Sequence, residues 1–183
     1  MSFVEQEDVF EIVEKLMIKL FKKFSNKKIS SEKFPRITYE ETMLKYGTDK
    51  PDLRNPLIIS DITKIFERED VKFEIFKKLV KNGSIVRALV TKNTKDKPRN
   101  FFDSIDRWAK EQGSSGLAYF TLEKDEKINA KGPIGKFFSE SALLEIMKLT
   151  NANIGDTVFL SCGKKNDVEK ILSVARNKIA QDL

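Results

Sequence analysis

One polar loop carries the residues of this sequence that are best suited to bind a charged ligand. Residues 92–99 contain four positive side chains and one negative side chain, Asp96, on a connector without apolar anchors. Lys and Arg side chains in such a position are the groups that contact the phosphates of a nucleic acid. A loop that contacts only solvent can have the same composition, so both interpretations stay open. The candidate nucleic-acid contacts are Lys92, Lys95, Lys97 and Arg99.

Three other polar or reactive motifs have simpler structural interpretations. Residues 131–136 include two glycines, but Pro133 removes a backbone donor that a phosphate-binding loop would use. Residues 67–70 alternate in charge, which favours a solvated helix end over a metal site or an acid–base pair. Cys162 is interpreted as a small packing residue without a redox role.

The residue counts exclude several kinds of chemistry. The chain of 183 residues contains no His and one Cys. It therefore has no imidazole base and no His-activated nucleophile, and a zinc site built from carboxylates and one thiolate would be unusual. A single Cys forms no internal disulfide, which fits a reducing compartment. We predict no catalytic, cofactor-binding or metal-binding residue in this chain.

Charge and hydropathy indicate a soluble protein. The net charge is +6, which suits contact with nucleic acid without requiring it. No apolar run approaches the roughly 18 residues that would cross a bilayer. The acidic residues Glu5, Glu7 and Asp8 are unlike the start of a signal peptide. We expect a cytoplasmic protein with a packed core and no membrane contact.

Hydrophobic periodicity places the basic loop between a strand and a helix. It predicts helices at 7–24, 38–46, 101–112 and 140–150, the last capped by Ser139, and a final helix capped by Asp167. Strands are predicted at 73–80, 84–91, 117–122 and 157–161, with Asn82-Gly83 as a hairpin turn between the first two. A helix remains the alternative for 73–80. The pattern predicts an α+β fold in which a small, four-stranded, mixed or antiparallel sheet packs with helices, after a helical and irregular flank.

Two sequence motifs near residue 40 resemble a known family. The segments FPRITYEETM at 34–43 and YGTDKPDLR at 46–54 are similar to a signature of bacterial-type, class II aspartyl-tRNA synthetases. Further along, GLAY at 116–119, GPIGKF at 132–137 and GDTVF at 155–159 resemble landmarks of the GAD insertion domain, which these synthetases carry inside their catalytic domain. The B subunit of the tRNA-dependent amidotransferase carries a related domain, but the 46–54 segment favours the synthetase.

The resemblance implies a division of the chain and a larger parent enzyme. Residues 66–163 would be the GAD insertion, residues 1–65 the flank that follows motif 2 of the catalytic domain, and residues 164–183 a helix returning to that domain. The parent would be a homodimer that joins aspartate to tRNA with ATP and Mg²⁺. Motifs 1, 2 and 3 are not found here, so we expect this chain alone to be inactive.

Two functions for the chain follow from this resemblance. In the first, it contributes a surface near the acceptor stem of the tRNA, with residues 92–99 as the contact. In the second, it is a structural or protein-docking module that braces the remainder of the synthetase without touching RNA.

Overall fold

The computed structural model describes residues 3–183, and the chain divides into two compact units between Thr38 and Tyr39. The first unit is built on helix α1 (Gln6–Phe24). The segment after α1 returns along it, because Glu14 accepts a hydrogen bond from the Phe34 amide at 2.5 Å and Glu7 accepts two from the Arg36 guanidinium at 2.7 Å. No side chain of α1 is buried, so its apolar residues, such as Phe10 and Phe21, remain exposed.

The second unit is an antiparallel sheet covered on both faces. Its strands are β1 (Ile59–Asp61), β2 (Ile85–Thr91), β3 (Ala118–Lys124), β4 (Ile128–Lys131) and β5 (Thr157–Gly163), in the order β1-β2-β5-β3-β4. The helices are α2 (Tyr39–Tyr46), α3 (Glu74–Lys81), α4 (Arg99–Glu111), α5 (Glu140–Thr150) and α6 (Lys165–Asp182), and short 3₁₀ helices lie at Thr63–Glu67 and Gly135–Phe137. Every strand pair is antiparallel.

Alternating residues of the central strands supply two hydrophobic cores. On β2, Val86, Ala88 and Val90 face the core that α5 and the first 3₁₀ helix cover. Leu89 faces the other core, which is formed largely by α4 and α6. A strand apolar on both faces is expected to be central, and β2 and β5 are. The α+β fold predicted from the sequence is confirmed.

The predicted number of strands was wrong, because within residues 3–183 the sheet has five strands rather than four. Residues 73–80 were predicted as a strand, but Phe73, Phe76 and Val80 recur at helical spacing and pack on the core from helix α3. Asn82-Gly83 ends this helix instead of forming a hairpin: Gly83 has a φ of +85°, and its amide donates to the Val80 carbonyl at 2.9 Å. Strands β1 and β4 were not predicted.

Two predicted helix starts have different outcomes. Ser139 caps α5, since its hydroxyl accepts a hydrogen bond from the Ala142 amide at 3.0 Å. Asp167 does not cap the last helix. Helix α6 begins at Lys165, and Asp167 lies in its first turn, where its carboxylate faces the positive end of the helix dipole.

Candidate nucleic-acid interface

The basic loop between β2 and α4 is held in one conformation by hydrogen bonds to the neighbouring turn before β5. The Asn93 amide donates to Asp156 Oδ1 at 2.9 Å, and the Lys95 amide donates to the Gly155 carbonyl at 3.0 Å. Within the loop, the buried hydroxyls of Thr91 and Thr94 are 2.8 Å apart. The loop therefore presents its long basic side chains from a fixed backbone.

Lys92 has a structural role in this loop. Its ammonium lies 3.0 Å from Asp156 Oδ2 and also donates to the Asn151 carbonyl. The Asp156 carboxylate is buried and accepts a further bond from the Asn153 amide at 2.7 Å. Lys92 thus compensates a buried negative charge, and it does not line the cleft that contains the other three basic residues.

Lys95, Lys97 and Arg99 lie together on one side of an open cleft of about 480 Å³. A fourth cation, Lys131, comes from the end of β4. Among the described residues that line the cleft, Glu123 on β3 is the one that is anionic. Lys131 was not predicted from the sequence as a site residue, because strand β4 and its pairing with β3 were not predicted. The alternation of Ile128, Asn129 and Ala130 before Lys131 was the available signal. The remaining lining residues are Phe102, Tyr119, Thr121, Gly132 and Pro133.

The four cations differ in how strongly they are already paired. Arg99 Nε is 3.3 Å from Asp103 Oδ2, and Lys131 Nζ is 3.7 Å from Glu123 Oε1. Within residues 3–183, neither Lys95 nor Lys97 takes part in an ion pair, although the Lys97 ammonium lies 5.2 Å from the centre of the Phe101 ring. Exposed pairs at these distances contribute little, so all four cations can still attract an anion.

Two stacked aromatic rings line the cleft, and the one side-chain polar atom that they carry, the Tyr119 hydroxyl oxygen, already has a hydrogen-bond partner. The rings of Phe102 and Tyr119 stack with their centres 5.0 Å apart, and both side chains are buried. Tyr119 donates its hydroxyl proton to Asp103 Oδ1 at 2.8 Å. Burial and the Asp103 carboxylate raise the pKa of Tyr119 to about 12, so the phenol stays neutral. The Thr121 and Thr157 hydroxyls are 2.8 Å apart and satisfy each other.

Gly132 allows the second wall of the cleft to lie close to the sheet. Its φ is +125°, and a Cβ at this position would be 3.2 Å from both the Tyr119 carbonyl oxygen and the Phe120 Cα. A larger residue would strain the backbone and push the turn away from β3. Gly132, the first glycine of the GPIGKF segment, therefore determines the shape of the cleft.

The turn-rich loop at 47–56 is fastened by a single buried arginine on α6. Arg176 is 1% exposed, and its guanidinium donates to the backbone carbonyls of Leu57, Asn55 and Asp52 at 2.5, 2.5 and 2.9 Å. It also lies 4.9 Å from the centre of the Tyr46 ring. Burial lowers the pKa of Arg176. Sequence reasoning missed this arginine because it lies within a helical stripe far from the loop it binds.

The outer part of the same loop is an exposed ion pair. Arg54 donates to both carboxylate oxygens of Asp52, at 2.6 Å from Nη2 and 2.9 Å from Nε. These bonds lower the pKa of Asp52 to about 2. The exposed side of the loop therefore carries a paired cation and anion.

The charged segment at 67–70 is part of a network rather than a freely solvated helix end. Arg68 donates to both oxygens of Asp70 at 2.8 Å and also binds Glu145 on α5. Ser139, the cap of α5, donates to Asp70 Oδ2 at 2.5 Å. Together these donors hold the pKa of Asp70 well below its usual range.

Among residues 3–183, no group of three or more His, Cys, Asp or Glu residues could hold a metal ion. Burial raises the pKa of the Cys162 thiol to about 11, so it is protonated at neutral pH. In the same part of the chain, no helix is long and apolar enough to cross a membrane.

The sequence matches the GAD domain family over residues 76–172, which include the basic loop and the cleft. The chain belongs to the GAD domain family. Curated relatives extend the match to the whole chain. It is 74% identical over 183 residues to an aspartate–tRNA(Asp/Asn) ligase of Pelagibacter ubique, covering 100% of this chain and 31% of the relative. The corresponding ligases of Wolbachia pipientis from Culex pipiens and of Orientia tsutsugamushi are 47% and 46% identical, again over 100% of this chain and 30% of each relative.

The matched relatives are therefore about three times as long as the chain. The resemblance to bacterial-type aspartyl-tRNA synthetases and to their GAD domain is confirmed by these matches. The GAD domain here shares one compact unit with α2, the 47–56 loop and the end of α6, all of which lie outside the matched residues 76–172.

Proposed function

We propose that this chain is the GAD-containing part of an aspartate–tRNA ligase and that it contacts the tRNA near its acceptor stem without taking part in the chemistry. The observation that carries the proposal is the convergence of Lys95, Lys97, Arg99 and Lys131 on one cleft. Cations from separate segments that face one concavity suit a polyanion, because each can pair with a different phosphate.

The proposal replaces one residue of the sequence-based set. Lys92 is engaged with the buried Asp156, so its substitution would disturb the loop itself. Lys131 takes its place as the fourth phosphate contact. The set that we propose for RNA binding is Lys95, Lys97, Arg99 and Lys131.

The activity of the longer protein follows from its relatives. These are named aspartate–tRNA(Asp/Asn) ligases. We propose that the longer protein aspartylates tRNA, with the Asp/Asn tRNA range that the relatives' names state, as a cytoplasmic homodimer that uses ATP and Mg²⁺. The described residues supply no metal-binding group, so ATP and Mg²⁺ would be held by the remainder of the ligase.

We keep residues 66–163 as the proposed insertion, with residues 1–65 and 164–183 as its flanks. The family match over residues 76–172 supports the central part of this division.

The test uses a full-length ligase that carries this chain. Lys95, Lys97, Arg99 and Lys131 are all changed to Gln, and tRNA affinity is measured together with aspartate-dependent ATP–pyrophosphate exchange. We expect tRNA binding to weaken by about tenfold or more at roughly 0.1 M salt, since several phosphate contacts are lost. Exchange without tRNA should be unchanged, because the cleft takes no part in adenylate formation.

A matched control separates this effect from net charge. Changing Lys64, Lys81, Lys148 and Lys170 to Gln removes the same charge from exposed positions that do not line the cleft. This control should bind tRNA nearly as well as the unchanged ligase. Equal losses of tRNA affinity in both variants would show that the cleft contributes only through the overall positive charge of the chain.

The alternative, a bracing or docking module, has its own supporting observation. Arg176 ties the loop at 52–57 to α6 through three backbone carbonyls, an arrangement that stiffens the unit without needing RNA. If this is the whole function, the quadruple variant will keep full tRNA affinity. An Arg176→Met ligase, in contrast, will lose exchange activity.

A further inference from the structure

The cleft is lined by residues from separate segments of the chain. They come from the loop before α4, from α4 itself, from β3, and from the end of β4 with the turn that follows it, so that basic side chains from different elements border one concavity. Gly132 keeps the β4 turn against the backbone of Tyr119 and Phe120. We propose, on the basis of the RNA contact above, that the cleft binds an unpaired RNA strand through its phosphates and without regard to base identity.

An unpaired strand suits the cleft better than a duplex. The phosphates of an A-form duplex lie on a broad convex surface, which can touch the rim of a concave site but not enter it. A single strand can follow a basic groove with successive phosphates. Within residues 3–183, Lys95 and Lys97 form no ion pair, so they would neutralise adjacent phosphates. Lys131, at the end of β4, would contact the same strand.

The same cleft offers little for reading a base. The Phe102 and Tyr119 rings stack on each other and are 4% and 6% exposed, so neither ring presents a free face. The Tyr119 hydroxyl donates a hydrogen bond to Asp103, and the Thr121 hydroxyl is paired with the Thr157 hydroxyl. Base identity is read by free donors and acceptors that meet the edges of the bases, and the lining residues present mainly cations.

The experiment measures binding of four probes to the full chain of 183 residues by fluorescence anisotropy. Three of these are labelled RNAs: an oligouridine, an unstructured RNA of mixed sequence and the same length, and a duplex with the same number of base pairs. The fourth, inorganic phosphate, is added as an unlabelled competitor. We expect the two single strands to bind within about twofold of each other and at least about fivefold more tightly than the duplex. Millimolar phosphate should not displace them, because it makes only one of the contacts.

Two variants assign the binding to the cleft. Lys131→Gln and the Lys95→Gln, Lys97→Gln pair should each weaken single-strand binding about fivefold or more. The control pair Lys148→Gln, Lys170→Gln should leave it within about twofold, and thermal unfolding checks that each variant is folded.

The outcomes separate this inference from the proposed function. Equal or tighter binding of the duplex overturns the single-strand groove but leaves an acceptor-stem contact intact, and a strong preference for one base composition overturns base independence. Displacement by phosphate makes the cleft a simple anion site. If no RNA binds and the quadruple variant of the full-length ligase keeps its tRNA affinity, the inference and the proposed function both fail.

Discussion

Arg176 and Asp52 are separated by 124 positions in the sequence, yet the Arg176 guanidinium donates from Nη2 to the Asp52 carbonyl at 2.9 Å. The same side chain binds the carbonyls of Asn55 and Leu57. The Asn55 side-chain amide returns a bond to the Arg176 carbonyl at 3.0 Å. The segment at 52–57 and helix α6 are therefore joined by one buried side chain.

Replacing this arginine should destabilise the chain. Arg176→Met removes the groups that donate hydrogen bonds to three backbone carbonyls. We expect the free energy of unfolding to fall by about 2–4 kcal/mol. Arg176→Lys should recover only part of the loss, because an ammonium lacks the planar set of donors. Urea denaturation measures the free energy of unfolding of both variants, with Arg107→Met at an exposed position as the control. Equal stability of Arg176→Met and the control would show that these hydrogen bonds do not stabilise the chain.

Acid should weaken the network at Asp70. Because its folded pKa is lowered, the Asp70 carboxylate stabilises the fold above its unfolded pKa of about 3.9. This stabilisation is lost as the pH falls through the lower folded value. Asp70→Asn should cost about 1 kcal/mol at pH 7, after allowance for the partial exposure of the pair, and should flatten the fall in stability below about pH 4.

Unfolding free energies measured from pH 7 to pH 2 test this expectation. Glu126→Gln, at an exposed position, is the control and should show the same pH dependence as the unchanged chain. A steep acid transition retained in Asp70→Asn would assign the sensitivity to other carboxylates.

Gly132 should be less tolerant of alanine than Gly113, a glycine that also has a positive φ but has free space around it. Gly132→Ala meets the Tyr119 carbonyl and the Phe120 backbone at 3.2 Å, whereas a Cβ on Gly113, with a φ of +82°, meets nothing within 4 Å. We expect Gly113→Ala to cost about 1 kcal/mol and Gly132→Ala about 1–2 kcal/mol more. Thermal unfolding compares the two, and similar losses would show that the turn is free to move.

The thiol of Cys162 should react slowly in the folded chain. Burial raises its pKa to about 11, so little thiolate exists at pH 8. We expect a disulfide reagent such as Ellman's to react at least about tenfold faster with the chain in 6 M guanidinium chloride than with the folded chain. A folded-state rate equal to the unfolded rate would contradict the burial of this side chain.

Local patterns predicted much of the fold, and the exceptions have physical causes. The Ser139 cap and the strand at 85–91 are encoded by neighbouring residues, and both were predicted. Residues 73–80 were misassigned because Asn82-Gly83 ends a helix as readily as it turns a hairpin. Strand β4 contains only four residues, so its alternation is too short to stand out.

The site was only partly predictable because its members meet through pairing across the sheet. Lys95, Lys97 and Arg99 are close in sequence and were selected together, but Lys131 joins them only through the pairing of β3 with β4. The buried Asp156 that engages Lys92 comes from the turn before β5. Charge along the chain identified the loop, and tertiary structure decided which of its cations face the cleft.

The salt dependence of tRNA binding is the sharpest test of phosphate contact in the cleft. For a full-length ligase carrying this chain, log Kd is measured against log salt concentration, with and without glutamine at Lys95, Lys97, Arg99 and Lys131. Each phosphate contact contributes roughly 0.7–0.9 to the slope, so we expect a slope smaller by about 3 in the quadruple variant. An unchanged slope and affinity would contradict a phosphate-binding cleft in this GAD domain.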